Sequence, residues 1–232
     1  MLTTEQNEIT EGLYLGQEKN RFICNVLIKG NREKCHLPFP NRLSNYFLLD
    51  KNKVLLKRIN NSNAKFRFSL FAIKIKHSYI LVNLSYANKL LLSNLKLRAF
   101  SFLGTRDEVF KEVNVLPTYK TDLYIKKTKT IIEIKTVIAF SEKAFFPQEK
   151  SERIINQLKA ILSLLKQGYK VCYFICVLTK NIKIIELNPK YEEITAYFYK
   201  CIEAGMIVHC RQVCFSEKKQ DFIFKNKVSF EL

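Results

Sequence analysis

The sequence predicts a mixed α/β protein in two parts, a small N-terminal β-barrel followed by a larger domain in which helices and strands alternate. Length is the first reason: 232 residues exceed the usual single-domain size of about 100 to 150 residues. The second is a change of grain. Up to about Lys76 the segments are short, β-rich and separated by turn clusters, whereas from Leu84 onward longer helical stretches alternate with strands. The change falls between 77 and 84, which sets the domains at 1–80 and 81–232.

In the first part, Phe22 to Lys29 alternates as a strand, Gly30-Asn31 is a turn signal, and Arg32 to Leu37 returns as a hairpin partner. Val54 to Ile59 and Lys65 to Lys76 supply further strands, separated by the turn cluster Asn60-Asn61-Ser62-Asn63. Four or five short strands fit an OB-like β-barrel. Within Lys65 to Phe68 the basic and aromatic residues alternate, so a strand there puts Lys65 and Arg67 on one face and Phe66 and Phe68 on the other. That pattern serves a half-buried strand with its charges in water. It also serves a platform on which bases stack, with Lys65 and Arg67 as phosphate contacts.

The second part opens with a leucine-rich helix from about Tyr86 to Ala99 and a strand near Glu108 to Val115. Asp122 to Lys126 and Thr130 to Val137 read as an antiparallel pair, followed by a loop containing Pro147. Ser151 caps a helix whose apolar stripe is Ile154, Ile155, Leu158, Ile161, Leu162 and Leu165, and Gly168 stops it. Tyr169 to Leu178 is a buried strand and Asn181 to Leu187 another. A helix then runs from Pro189 to Ala204, and Met206 to Phe215 returns to strand. The order is α-β-β-β-α-β-β-α-β.

The charge bounds the partner. Lys and Arg number 39 against 21 Asp and Glu, a formal +18, and a field of that sign attracts polyanions. DNA is the leading partner and an anionic membrane surface the second. Because the composition is rich in Lys, Ile, Asn and Phe throughout, motifs have to decide. Hydrophobic residues at 47% and charged residues at 26% argue against a disordered or low-complexity chain. Met1 to Asn20 is polar and acidic, which predicts no signal peptide, and no run of about 18 apolar residues predicts a spanning helix. The seven cysteines sit mostly in apolar runs and point to a reducing cytoplasm. Cys172 and Cys176, and Cys210 and Cys214 beside His209, share a CxxxC spacing, but buried strands are poor places for zinc ligands. The oligomeric state stays open, a homodimer included.

One constellation carries chemistry. Asp122, ten residues, then Glu133-Ile134-Lys135 matches the PD-(D/E)xK nuclease signature without its leading proline. If the hairpin turns around Lys127-Thr128, Asp122 falls opposite Glu133, and cross-strand carboxylates repel unless a cation compensates. Glu133 and Lys135, two apart, share a face. Asp122 and Glu133 would then hold Mg2+ or Mn2+, and Lys135 would steady the attacking water in phosphodiester hydrolysis. The turn cations Lys126 and Lys127, and Arg153 near the start of the next helix, are candidate phosphate contacts.

Several stretches resemble the sugar fermentation stimulation protein A (SfsA) family along nearly the whole chain. Asn20-Arg21-Phe22 is similar to the family's opening strand, His36-Leu37-Pro38 to its H-C-P turn, and Val82-Asn83-Leu84 through Ala87-Asn88 to its V-N-T...A-N stretch. Thr121-Asp122-Leu123 resembles its I-D-F strand, and Ile132 to Val137 its Y-I-E-V-K-S-V. Phe146-Pro147 with Ser151-Glu152-Arg153 resembles its F-P-D-A-V-T-E-R-G. The resemblance implies an N-terminal OB-like barrel, a PD-(D/E)xK restriction-endonuclease-like α/β domain, DNA binding of low sequence specificity and a link to regulation of sugar (maltose) metabolism. Four departures bear on catalysis. Ser93 stands where the family has a Glu on the first helix of the second domain. Gln148 replaces the Asp after F-P, Gln157 replaces a helix His, and Pro38-Phe39-Pro40-Asn41 replaces P-N-T-G. A nuclease site here would be a degraded one.

Overall fold

A computed structural model describes residues 9–232, so the first eight residues of the Met1–Asn20 stretch lie outside it. The chain divides into two compact units. One runs to Tyr86 and includes Cys214–Ile223, and the other comprises Ala87–Val213 and Phe224–Leu232.

The first sheet is built from β1 (Ile9–Gln17), β2 (Ile23–Ile28), β3 (Asn31–His36), β4 (Lys53–Arg58), β5 (Phe68–Ile75) and β6 (Ser78–Leu81). Its order is β3-β2-β1-β4-β5-β6, and a parallel pairing of His36 with Ser69 joins β3 to β5. The first five strands therefore close on themselves as the expected OB-like barrel, which removes the exposed edges that an open sheet would present. Buried apolar residues, Cys24, Val26, Leu56, Leu70 and Ile73 among them, form its core. Gly12 marks where two strands approach too closely for a side chain: a Cβ there would stand 2.5 Å from Val26 Cγ1 and 3.0 Å from the Leu27 carbonyl oxygen.

Two strands of this sheet escape the alternation rule. β1, with Glu11, Gly12 and Gly16, has weak intrinsic strand preference and is held by antiparallel partners on both sides. β6 is four residues long. One expectation is corrected: Lys65–Arg67 is irregular backbone and β5 begins at Phe68, so the two-faced arrangement of basic and aromatic residues does not form. Phe68 is buried, and Phe66 is only half-buried.

The second sheet has eight strands in the order β10-β12-β14-β13-β11-β9-β8-β7. Its elements are α1 (Ser85–Asn94), β7 (Val109–Leu116), β8 (Tyr119–Ile125), β9 (Thr130–Val137), β10 (Lys143–Phe146), α2 (Glu152–Lys166), β11 (Lys170–Val177), β12 (Ile184–Leu187), α3 (Glu192–Glu203), β13 (Ile207–Ser216) and β14 (Asp221–Glu231). The expected order is present with two additions, β10 and β14. The first helix stops at Asn94, and a 3-10 turn at Arg98–Leu103 follows.

β9, β11 and β13 run parallel at the centre, and β11 is buried at every position after Lys170, as expected of a strand covered on both faces. α2 and α3 pack over one face through Ile155, Leu158, Ile161, Ile194 and Phe198. α2 begins where the Ser151 side chain accepts the Ile154 N–H. It ends where Gly168, at φ +82°, allows the Tyr169 N–H to bond back to the Leu164 carbonyl. All seven cysteines are buried free thiols. Among the described residues no helix is long and apolar enough to cross a membrane.

Candidate functional site

The hairpin of β8 and β9 has the register that the sequence suggests. Leu123 pairs with Ile132, Tyr124 with Ile131 and Ile125 with Thr130, leaving Lys126 to Lys129 as the turn. The ladder ends one pair short of Asp122 and Glu133. There the Asp122 carboxylate takes the place of a backbone acceptor: its Oδ2 receives the Ile134 N–H at 2.8 Å. Its Oδ1 receives the Asn88 amide of α1 at 3.0 Å. The Thr121 hydroxyl supports this break by donating to the Leu123 and Ile132 carbonyls.

Glu133 sits deeper, with 2% of its surface exposed. Its Oε1 accepts from Lys135 Nζ at 2.6 Å and from Gln157 Nε2 at 2.8 Å, and its Oε2 accepts from the Tyr119 hydroxyl at 2.8 Å. Lys135 Nζ donates a second bond to Gln157 Oε1 at 2.9 Å, so lysine, glutamate and glutamine form a closed ring of hydrogen bonds. Burial pushes the Glu133 carboxyl above its usual range; the Lys135 ammonium pulls against that, and the Asp122 charge adds to it. Tyr173 of β11 lies opposite Glu133 in register, with Lys135 Nζ 5.9 Å from its ring centroid. Its hydroxyl is buried and has no hydrogen-bond partner among the described residues. Burial, then the charges of Glu133 and Asp122, hold it in the phenol form.

The structure thus brings Asp122, Glu133 and Lys135 together. Ser93 stays apart from the cluster and turns its hydroxyl onto the Leu90 carbonyl, and Asn88 instead supplies the α1 contact. Gln148 makes two bonds to the Ile138 backbone, a structural clamp. Gln157 is a central member. Arg153 is exposed one helical turn before it on α2, a spacing that makes helix neighbours. Lys126 and Lys127 are exposed but sit in the turn, roughly 13 Å or more along the strand from Asp122 at about 3.3 Å per residue. Lys65 and Arg67 are exposed on the barrel.

Asn88 and Tyr119 were not legible as members of the site, and Gln157 was marked only by the family resemblance, as the replacement of a helix His. Period two puts Tyr119 on the face opposite Asp122, yet its hydroxyl reaches Glu133. Asn88 and Gln157 are amides, and only the fold shows which carboxylate each meets.

A closed five-stranded OB barrel followed by a mixed α/β domain with a carboxylate–lysine hairpin defines a two-domain class of protein. Family models match both halves: an SfsA N-terminal OB domain over residues 17–82, and a sugar fermentation stimulation protein RE domain over residues 85–219. The chain belongs to the sugar fermentation stimulation protein (SfsA) family. It is 26% identical over 222 residues to the sugar fermentation stimulation protein homolog of Thermosipho melanesiensis, covering 94% of this chain and 92% of that one. It is 29% identical over 171 residues to the homolog of Pelagibacter ubique, covering 70% and 73%. The solved structure of Pyrococcus furiosus SfsA in complex with Ca2+ has the same fold, with a TM-score of 0.77 at 16% identity over 97% of this chain and 96% of that one.

Proposed function

We propose that this protein binds DNA with low sequence specificity. One observation carries the reading: in a chain of formal charge +18, the exposed cations Lys65, Arg67, Lys126, Lys127 and Arg153 have no carboxylate within ion-pair distance among the described residues. Cations not neutralised internally are available to phosphates, and phosphate contacts give affinity without reading bases. The family's name suggests regulation of sugar metabolism as the setting, and seven free thiols suit a reducing cytoplasm. The test is a titration of duplex DNA at several salt concentrations. Five phosphate contacts give a slope of log K against log salt of about −4.5. No binding at low salt, or binding indifferent to salt, would sink the proposal.

A second reading, a PD-(D/E)xK-type nuclease dependent on Mg2+ or Mn2+, is favoured by the meeting of Asp122, Glu133 and Lys135. The donor chemistry fits: two carboxylates are what such an ion takes from a protein, the remainder being water and phosphate oxygens. Asp122 and Glu133 would hold it, and the P. furiosus relative was solved with a cation that also prefers oxygen. Bound there, the ion would supply Lewis-acid polarisation of a phosphate. The chain's own residues act as follows: Lys135 places a positive charge beside the carboxylates, Gln157 orients it, and Arg153 offers a phosphate anchor. Against efficient turnover stand Ser93, which supplies no third carboxylate, and a lysine already bound to Glu133. Incubation of DNA and RNA with each metal, wild type against Asp122→Ala, decides this reading. Cleavage that survives the substitution places the activity elsewhere.

A further inference from the structure

The barrel carries a surface that the Asp122 site does not use. Two of its connections, Glu18 to Phe22 between β1 and β2 and Ile59 to Arg67 between β4 and β5, bring an exposed and a half-buried aromatic ring, with exposed cations, beside β3. Phe22 is 41% exposed and its carbonyl accepts the Leu37 N–H at 2.8 Å, beside the Ile23–His36 pair. Phe66 stacks on the His36 ring with centroids 6.5 Å apart and planes 16° from parallel. Cations sit over these rings: Arg21 lies 5.0 Å from the Phe22 centroid and Lys65 5.7 Å from that of Phe66. Arg67, beside Phe66 in sequence, also lines a cleft of about 290 Å³ with Lys29, Arg58 and the acidic Glu33.

Three features separate this patch from incidental exposure. It is anchored: Arg42 donates to the Glu18 and Lys19 carbonyls, the Asn20 side chain accepts the Phe22 N–H, and the Arg67 carbonyl accepts the Ile59 N–H. Its cations are not internally neutralised, since Arg21, Lys65 and Arg67 have no carboxylate in ion-pair range among the described residues. Its histidine is an uncharged ring at neutral pH, because burial lowers the His36 pKa. Flat apolar rings interleaved with free cations match a polymer of flat bases and regularly spaced phosphates, and the bases must be unpaired to present their faces. In an OB barrel the β1–β2 and β4–β5 connections flank the face that takes oligonucleotides.

We propose that this end of the barrel binds single-stranded nucleic acid, with Phe22 and Phe66 stacking on bases and Arg21, Lys65 and Arg67 meeting phosphates. The proposal rests on the DNA-binding reading and narrows it to unpaired strands at a defined place.

The experiment uses the full chain and a fluorescent oligothymidylate of about 12 nucleotides, within the usual range for one OB fold. Phe22→Ala and Phe66→Ala each leave the charge unchanged and are expected to weaken binding about 5- to 100-fold, as loss of one stacked base does. Duplex affinity should move less than twofold. Because the chain has no tryptophan, Phe22→Trp installs a lone reporter whose emission should be quenched when a base stacks on it, a result independent of any loss of stability. If the oligonucleotide binds but the alanine variants bind it as well as wild type and the tryptophan is not quenched, the stacking site is wrong while general DNA binding stands. If no nucleic acid binds at low salt, both fall.

Discussion

Lys135 and Glu133 form an ion pair 2.6 Å long in which 19% of the lysine side chain and 2% of the glutamate side chain face solvent. Such a pair is a poor source of net stability but costly to break, since removing one partner strands the other charge. Lys135→Met should therefore destabilise the second domain by about 3 to 5 kcal/mol near neutral pH, measured by urea unfolding. The sign with pH follows from the direction of the Glu133 shift. Its folded pKa lies above the unfolded value, so its contribution is fully present below the unfolded pKa and is lost as pH rises through the folded one. The Lys135→Met penalty should grow from pH 4 to pH 8, and Glu133→Gln should gain on wild type over the same interval. A penalty independent of pH would show that Glu133 is not the stranded charge.

Gln157 closes the ring by donating to Glu133 and accepting from Lys135. Gln157→Leu keeps the packing volume but removes both bonds, at a cost of about 1 to 3 kcal/mol from a buried acceptor left under-satisfied. A double-mutant cycle with Lys135→Met should show coupling above about 0.5 kcal/mol, as contacting residues do. Additive effects would mean that the amide acts alone.

At Gly12 the barrel has no room for a methyl group. Gly12→Ala should lower stability by about 1 to 3 kcal/mol through overpacking, because its Cβ would meet Val26 Cγ1 at 2.5 Å. Combining it with Val26→Ala removes that atom, so the pair should cost less than the two single changes together. If the double variant is merely additive, the strain comes from the Leu27 carbonyl.

The architecture was legible where side-chain pattern alone decides it. The α2 stripe, the Ser151 cap and the apolar run of β11 follow from period and propensity, and the β8–β9 register follows from the length of one turn. β1 and β14 were missed because their sequences, with Gly12 and Gly16 in one and Lys225-Asn226-Lys227 in the other, carry weak local signals and take their structure from neighbouring strands. In the site, the two carboxylates and the lysine could be read from a spacing within one hairpin. The hydrogen bonds of Tyr119, Asn88 and Gln157 could not, because Tyr119 stands off the period-two face of Asp122 and the two amides come from helices distant in sequence.

His209 of β13 is the clearest case of a buried titratable group outside that site. Its ring lies between Phe102, at 4.4 Å and 16°, and Phe174, at 5.6 Å and 18°, with 8% of the residue exposed. Arg211 Nε donates to its Nε2 at 3.3 Å, which requires that nitrogen to be unprotonated. Burial, helped by the positive charges of Arg211 and Lys227, lowers its pKa to about 4. A depressed histidine stabilises the fold fully above its unfolded pKa of about 6.5, and that contribution is lost as pH falls towards the folded value, about 3 kcal/mol in all. His209→Phe keeps an aromatic ring between Phe102 and Phe174 but has nothing to titrate. Its unfolding free energy should fall less than that of wild type between pH 7 and pH 4, with the difference approaching that amount. The measurement is urea unfolding of both proteins across that range. Parallel pH profiles would mean that His209 is protonated in the folded state without cost, and that its stacked, arginine-bonded environment does not exclude the charged form.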